Sequence, residues 1–253
     1  VVPRGIRTDA FVLRSVDYGD SDRIVTLLTS AEGRVAALAR GARKSQKRFA
    51  GALQPFCRLE VELVRGRGEL HRLAEARVTR AFPSLLSSLA RMTAAGAALE
   101  VLRALAPEHH PEPALFEATE RFFERLAVSE PGLERLEALR AEARFVGVAG
   151  FAPNLQRCGR CGREAPRGRA ALFDPAAGSV ICRACGGAPL KLTGEARAWL
   201  DDAAAGGAAP LDPSAAPMVE RALEAFLLRQ LSRPLEGTRM LRAVAALGSE
   251  ETG

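Results

Sequence analysis

Four cysteines are the residues whose spacing most directly suggests chemistry. Cys158-x2-Cys161 is followed, after 20 intervening residues, by Cys182-x2-Cys185. Each short spacing lets one tight turn aim two sulfurs at a common point. Two such knuckles supply the four thiolates of a tetrahedral Zn2+ site, with Zn–S near ~2.3 Å. Gly159, Gly162 and Gly186 give the turns backbone freedom. Arg157, Arg160, Arg163 and Arg183 stand beside the sulfurs, where they would offset the dianionic charge of such a centre. Two other readings use the same residues. A pair of disulfides needs an oxidising compartment, and nothing in the sequence indicates export. A thioredoxin-like redox pair leaves the second knuckle unexplained. Four sulfurs leave no open coordination position, so the expected zinc is structural, and it would help a loop-rich stretch of low apolar content to fold. The fifth cysteine, Cys57, reads as a small buried apolar residue.

A second constellation is a basic loop. From Gly33 to Arg58 there is no acidic residue, while Arg34, Arg40, Arg43, Lys44, Lys47 and Arg48 are all present. Five of these six lie within 40–48, where Gly41 and Ser45 mark the stretch as loop. Guanidinium and ammonium groups without interleaved acids suit contact with phosphates, so these six residues are the expected nucleic-acid-binding set. A solvated charge run of mixed sign is the bland alternative. Of the aromatic residues in 1–80, Phe11 and Phe56 read as core, leaving Tyr18 and Phe49 as candidate platforms for stacked bases. A sequence-tolerant single-strand binder usually stacks several bases on exposed rings; with so few here, binding should lean on the phosphate backbone, which leaves duplex DNA open.

Other chemistry is not signalled. The chain has no Gly-x4-Gly-Lys-Ser/Thr loop, no His-Glu-x2-His and no Gly-x-Ser-x-Gly elbow. Its three histidines are His71, in a candidate strand, and His109-His110, in a proline-flanked break expected at the surface. No catalytic residue is nominated, and the expected protein is not an enzyme.

The elements that position these groups fall into blocks. Apolar runs at 10–13, 24–28 and 35–39, alternation at 59–63 and a weaker candidate at 69–78 give five short strands. That count fits an OB-fold barrel over 1–82, and equally an SH3-like barrel. From Pro83 the apolar period becomes three to four. Leu85, Leu89, Met92, Gly96, Leu99 and Leu102 form one face; stretches 115–126 and 133–146 form two more, giving an α-helical bundle domain over 83–150. Residues 151–193 form the expected zinc-binding module, inserted with its four cysteines into the helical part. Residues 194–253 bring helices at 195–204 and 219–231, and a further one at 240–247, back to the bundle. The expected fold class is thus α+β and multidomain.

The 253 residues carry a formal charge of +6 and are 47% hydrophobic, the composition of a folded chain. Residues 1–80 hold 16 Lys+Arg against 9 Asp+Glu, and the remaining 173 hold 20 against 21. A basic excess at one end points to a polyanionic partner there. No apolar run reaches the ~20 residues of a transmembrane helix, and the opening Val1-Val2-Pro3-Arg4-Gly5 is no signal peptide. A cytoplasmic, nucleoid-associated protein with no membrane partner is expected, and the lack of a leading Met leaves room for residues ahead of Val1.

Three stretches taken together resemble one family. Asp17-Tyr18-Gly19-Asp20-Ser21-Asp22-Arg23-Ile24-Val25-Thr26-Leu27-Leu28-Thr29, with Glu32-Gly33, resembles the start of the bacterial RecO recombination mediators. Ala39-Arg40-Gly41-Ala42-Arg43-Lys44-Ser45, continuing to Leu53-Gln54-Pro55-Phe56, is similar to that family's basic loop. Gly150-Phe151-Ala152-Pro153-Asn154-Leu155, then the two cysteine knuckles with Gly178 between them, is similar to its zinc-containing members. The resemblance implies an N-terminal OB fold, a helical domain and an inserted zinc module. It implies a non-enzymatic DNA-repair protein that binds and anneals single-stranded DNA. Its implied partners are RecR, single-strand binding protein (SSB) and, in some bacteria, RecF, in helping RecA load onto SSB-coated strands. A zinc-ribbon enzyme acting on nucleic acid and a protein-interaction adaptor are the alternatives.

Overall fold

Ala10-Phe11-Val12-Leu13 is apolar at every position, and the strand it forms, β1 (Ile6–Tyr18), is buried on both faces there. Ala10 and Val12 belong to a barrel core, while Phe11 and Leu13 belong to a second core shared with helices. In this computed structural model the described residues are 5–231, 235–237 and 240, apart from 46, 50, 67 and 69. Strands β2 (Asp22–Thr29), β3 (Gly33–Ala39), β4 (Cys57–Val64) and β5 (His71–Ala81) complete a closed barrel in the order β1-β2-β3-β5-β4. All pairings are antiparallel except β3 with β5, where Ala37 faces His71 and Leu38 faces Arg72. Closure leaves the barrel without a free edge, and the five-stranded topology is OB-like.

The turn before β3 needs Gly33, which has φ of +66° and brings its α-carbon against the backbone of His110. Residues 40–56, between β3 and β4, close one end of the barrel by sending Phe49, Ala52 and Leu53 into its core.

A helical layer covers the outer face made by Phe11, Leu13, Leu28, Phe56 and Phe82. It comprises α1 (Leu89–Leu105), α2 (Pro113–Val128), α3 (Glu134–Val148), α4 (Gly194–Ala205) and α5 (Ala216–Leu231). Phe11 lies 4.8 Å from Phe116 and 5.5 Å from Phe123 between ring centroids, so α2 is the main aromatic contact with the barrel. Ser88 caps α1 and Thr193 caps α4, each accepting a backbone N–H one turn in. Ion pairs edge the junction: Arg58 reaches Asp9 at 2.8 Å and Glu120 at 2.9 Å, and Arg80 pairs with Glu124.

The face expected on α1 is partly displaced. Leu99 and Leu102 are buried, but Leu89 and Met92 are exposed. Ala94, Ala95, Ala97, Ala98 and Val101 line the actual buried side. Small residues let α1 approach its neighbours closely, so large apolar side chains are a poor guide to its inner face. Helices α4 and α5 share the core of α1–α3, as expected of the C-terminal stretch. Of the further helix expected at 240–247, residues 241–247 lie outside the described residues.

Between α3 and α4 the chain is more regular than its composition suggests. Strands β6 (Asn154–Cys158), β7 (Ala171–Asp174), β8 (Ser179–Val180) and β9 (Leu190–Leu192) form a sheet in the order β6-β8-β7-β9. Leu155, Phe173, Val180 and Leu192 enter the helical core, and the Phe173 and Phe226 rings lie 6.3 Å apart.

Candidate metal centre and basic surfaces

The two knuckles are built from backbone hydrogen bonds that turn the chain back toward its sulfurs. Gly162 N–H donates to the Cys158 carbonyl at 2.8 Å, and Gly187 N–H to the Cys182 carbonyl at 3.1 Å. Gly162, Gly186 and Gly187 have φ of +72°, +99° and +71°, which a side chain would strain. Arg160 joins the knuckles by donating from Nη1 to the Cys185 carbonyl at 2.6 Å.

All four sulfurs lie within 4.8 Å of one another, and Cys158, Cys161, Cys182 and Cys185 are all free thiols. The Cys161 and Cys182 sulfurs are 3.8 Å apart. A tetrahedron with arms of ~2.3 Å has an edge of about 3.8 Å, so this spacing is that of two ligands on one ion rather than a disulfide of ~2.05 Å. Backbone N–H groups of Cys182, Cys161 and Arg160 hold the Cys158 thiol down at about 6. Hydrogen bonding to the Cys161 and Cys182 sulfurs pushes Cys185 up to about 12. So crowded a donor set, with N–H groups already favouring a thiolate, fits a soft divalent cation. Among the described residues no other group of three or more His, Cys, Asp or Glu could hold an ion.

The module is anchored by Arg197 of α4, which sequence reasoning passed over. Arg197, 5% exposed as a residue, donates from its guanidinium to the carbonyls of Leu155, Ala165, Pro166 and Arg169 at 2.5–3.1 Å. Burial lowers its pKa, and the nearby Asp201 opposes that shift. An arginine on an amphipathic helix reads as surface, and no local signal marks this one.

Five of the six expected DNA-binding residues lie together on the barrel-closing segment. All five, Arg40, Arg43, Lys44, Lys47 and Arg48, are exposed. Arg43 pairs with Asp17 at 3.5 Å, and Arg48 donates to the Arg40 carbonyl at 2.7 Å while its guanidinium lies 5.1 Å from the Phe49 ring centroid. The side chains of Arg40, Lys44, Lys47 and Arg48 have no ion-pair partner among the described residues. Arg34 stands apart from this set. It sits at the other end of β3, about 20 Å away at ~3.3 Å per residue. There it pairs with Glu108 at 2.8 Å and donates to the Ala106 carbonyl at 2.9 Å, joining barrel to helices.

Phe49 is not a stacking platform: it is 1% exposed inside the barrel. Tyr18, 56% exposed, remains the available ring, and Phe11 and Phe56 are core as expected. Cys57 is half-buried against the barrel core, and burial pushes its thiol pKa up. His109 and His110 are exposed.

A second basic surface was hidden by averaging charge over the last 173 residues. Residues 83–150 carry 7 Lys+Arg against 10 Asp+Glu, and 194–253 carry 6 against 9. Residues 151–193 carry 7 against 2, and those seven cations are all exposed.

A closed OB-like barrel with a basic rim, a helical layer and a four-cysteine module define a nucleic-acid-binding class of protein. The comparisons narrow that class. The family described as "Recombination protein O N terminal" matches residues 4–82, and "Recombination protein O C terminal" matches residues 86–239. A DNA repair protein RecO of Anaeromyxobacter sp. (strain K) is 40% identical over 253 residues, covering 96% of this chain and 98% of the relative. The RecO of Myxococcus xanthus is 37% identical, covering 93% and 96%. That of Geobacter sulfurreducens is 41% identical, covering 74% and 76%. The chain belongs to the RecO family of DNA repair and recombination proteins, whose names describe no catalysed reaction. No helix among the described residues is long and apolar enough to cross a membrane.

Proposed function

We propose that the chain is a recombination mediator that binds single-stranded DNA, anneals complementary strands, and helps RecA load onto SSB-coated strands together with RecR. The observation that carries this reading is the loop of cations beside the closed barrel, four of them without an ion-pair partner among the described residues. Each phosphate it neutralises releases condensed counterions, which gives affinity without sequence preference. Arg40, Arg43, Lys44, Lys47 and Arg48 form this contact; Arg34, held by Glu108, has a joining role instead. Tyr18 adds the one exposed ring near that end of the barrel.

A structural Zn2+ held by Cys158, Cys161, Cys182 and Cys185 completes the module and takes no part in a reaction. RecF is a further partner, and the site of action is the nucleoid of the cytoplasm. The decisive test is annealing of complementary strands precoated with SSB, with and without RecR. Faster annealing with the chain, and RecR-dependent loading of RecA, are the expected results; neither occurring would overturn the reading.

A further inference from the structure

Seven cations against two acids make residues 151–193 the most basic stretch outside the barrel. Both acids are engaged: Glu164 pairs with Arg157 at 2.9 Å, and Asp174 accepts the backbone N–H groups of Ala176 and Ala177. Arg160 is committed to the Cys185 carbonyl. Arg163, Arg183 and Lys191 have no ion-pair partner among the described residues, and all three line one cavity of about 380 Å³. Its apolar lining includes Pro166 and Leu172 with the nearly buried Val180 and Ile181; Glu164, paired with Arg157, and the knuckle residues Cys158 and Cys182 form other parts of its wall. Even with the two negative charges that a four-thiolate zinc centre adds, the stretch stays net positive.

We propose that this cavity is a second single-stranded DNA site, with phosphates on Arg163, Arg183 and Lys191 and a base against Pro166 and Leu172. The inference rests on the annealing function proposed above and deepens it, because annealing requires two strands to be held at once. An alternation of cationic rim and apolar floor matches the alternation of phosphate and base along a single strand.

The test uses the full chain and two non-complementary oligo-dT strands, one carrying a donor dye and one an acceptor. The wild-type chain should bind two strands per chain at saturation, with energy transfer between them. The triple variant R163E/R183E/K191E should bind one strand, lose the energy transfer and anneal complementary strands at least tenfold more slowly. Its affinity for the first strand should stay within about twofold, and zinc content verifies that the module is folded. If the triple variant loses zinc, the milder pair R163Q/K191Q gives the same comparison. A wild-type stoichiometry of one strand, or rim variants with unchanged co-occupancy and annealing, overturns this inference and leaves the loop-based function standing. Displacement of the second strand by a poly-glutamate peptide at charge-matched concentration, with no effect of rim substitution on annealing, assigns the rim to a protein tail instead. A wild-type chain that neither binds nor anneals strands overturns the underlying function itself.

Discussion

The barrel and the cysteine module are both small, basic and built on short strands, but they are held together differently. The barrel has an apolar core of its own, in which Val25, Leu27, Leu59, Leu63 and Phe49 are nearly inaccessible, and its strands close on themselves. The module contributes only a few buried apolar side chains, and of these Leu155, Phe173, Val180 and Leu192 belong to the helical core, with Ile181 outside it. What else can hold it is the cluster of four sulfurs and the buried Arg197 of α4. A closed sheet lets the barrel keep cations exposed on its loop without loss of stability. The module must first be fastened, by ligands at one end and by Arg197 at the other, before its surface can serve anything.

The sharpest break in that comparison is loss of the metal. Replacing Cys161 by Ser removes an exposed ligand from a centre whose binding is folding energy, about 10–16 kcal/mol for isolated zinc fingers. The expected result is loss of bound zinc and fast amide exchange across 154–192, while exchange in β1–β5 stays as in the wild type. Loss of protection in the barrel as well would show that the two regions are not independent.

Next in size is Arg197. R197M leaves the buried Leu155 carbonyl and the part-buried Ala165 and Arg169 carbonyls without this donor, and a cost of about 1–3 kcal/mol is expected. The readouts are a lower Tm and faster removal of zinc by a chelator, with unchanged affinity for a single DNA strand. R197K, which keeps the charge but not the fork, should recover less than half of the loss.

A pH dependence separates the helical layer from the barrel. Glu142 of α3 is fully enclosed, and burial pushes its carboxyl up to about 7; Glu220, Glu224 and Glu100 act in the same direction and Arg135 against it. Arg135 is itself held by Glu220 at 2.5 Å. Because the folded-state pKa lies above the unfolded one, the folded chain binds more protons between about pH 4.5 and 7. Stability contributed by Glu142 is therefore full below that window and falls as pH rises through it, by up to about 3 kcal/mol. In E142Q the slope over pH 5–7 should flatten and Tm at pH 8 should rise. Exchange in β2 and β3, which belong to the barrel core, should be insensitive to the substitution.

How much of this could be read in advance follows the same division. The cysteine spacing carried its own geometry, because only tight turns place x2-separated sulfurs together, and the strand-length runs of the barrel carried theirs. The four strands of the module were not visible: β8 has two residues and β9 three, too few for a period. Phe49 looked like a platform because its neighbours in sequence are charged, yet a loop that closes a barrel must send some residue inward. Leu89 and Met92 misled because α1 buries alanines. The module's charge was present in the composition and vanished only when summed with two acidic helical segments.

The smallest effect on the fold, and the most specific on binding, is expected from the loop. Lys44 and Lys47 have no ion-pair partner among the described residues, so reversing them breaks no ion pair, whereas Arg43 would give up Asp17. Each phosphate contact on a single strand lowers the salt slope by ~0.7, which at 0.1 M salt is about 1 kcal/mol. K44E/K47E should therefore weaken single-strand binding by about 2 kcal/mol, roughly thirtyfold, and flatten the slope by ~1.4. The loss should be equal for oligo-dT and mixed sequences, since phosphate contacts carry no base information. Zinc content and Tm should match the wild type, because the barrel is closed by Phe49, Ala52 and Leu53 and not by these ammonium groups. A change of slope without a change of Tm ties binding to the barrel rim. Unchanged slope and affinity would move the first strand to the cysteine module and reverse the order in which the two basic regions engage DNA.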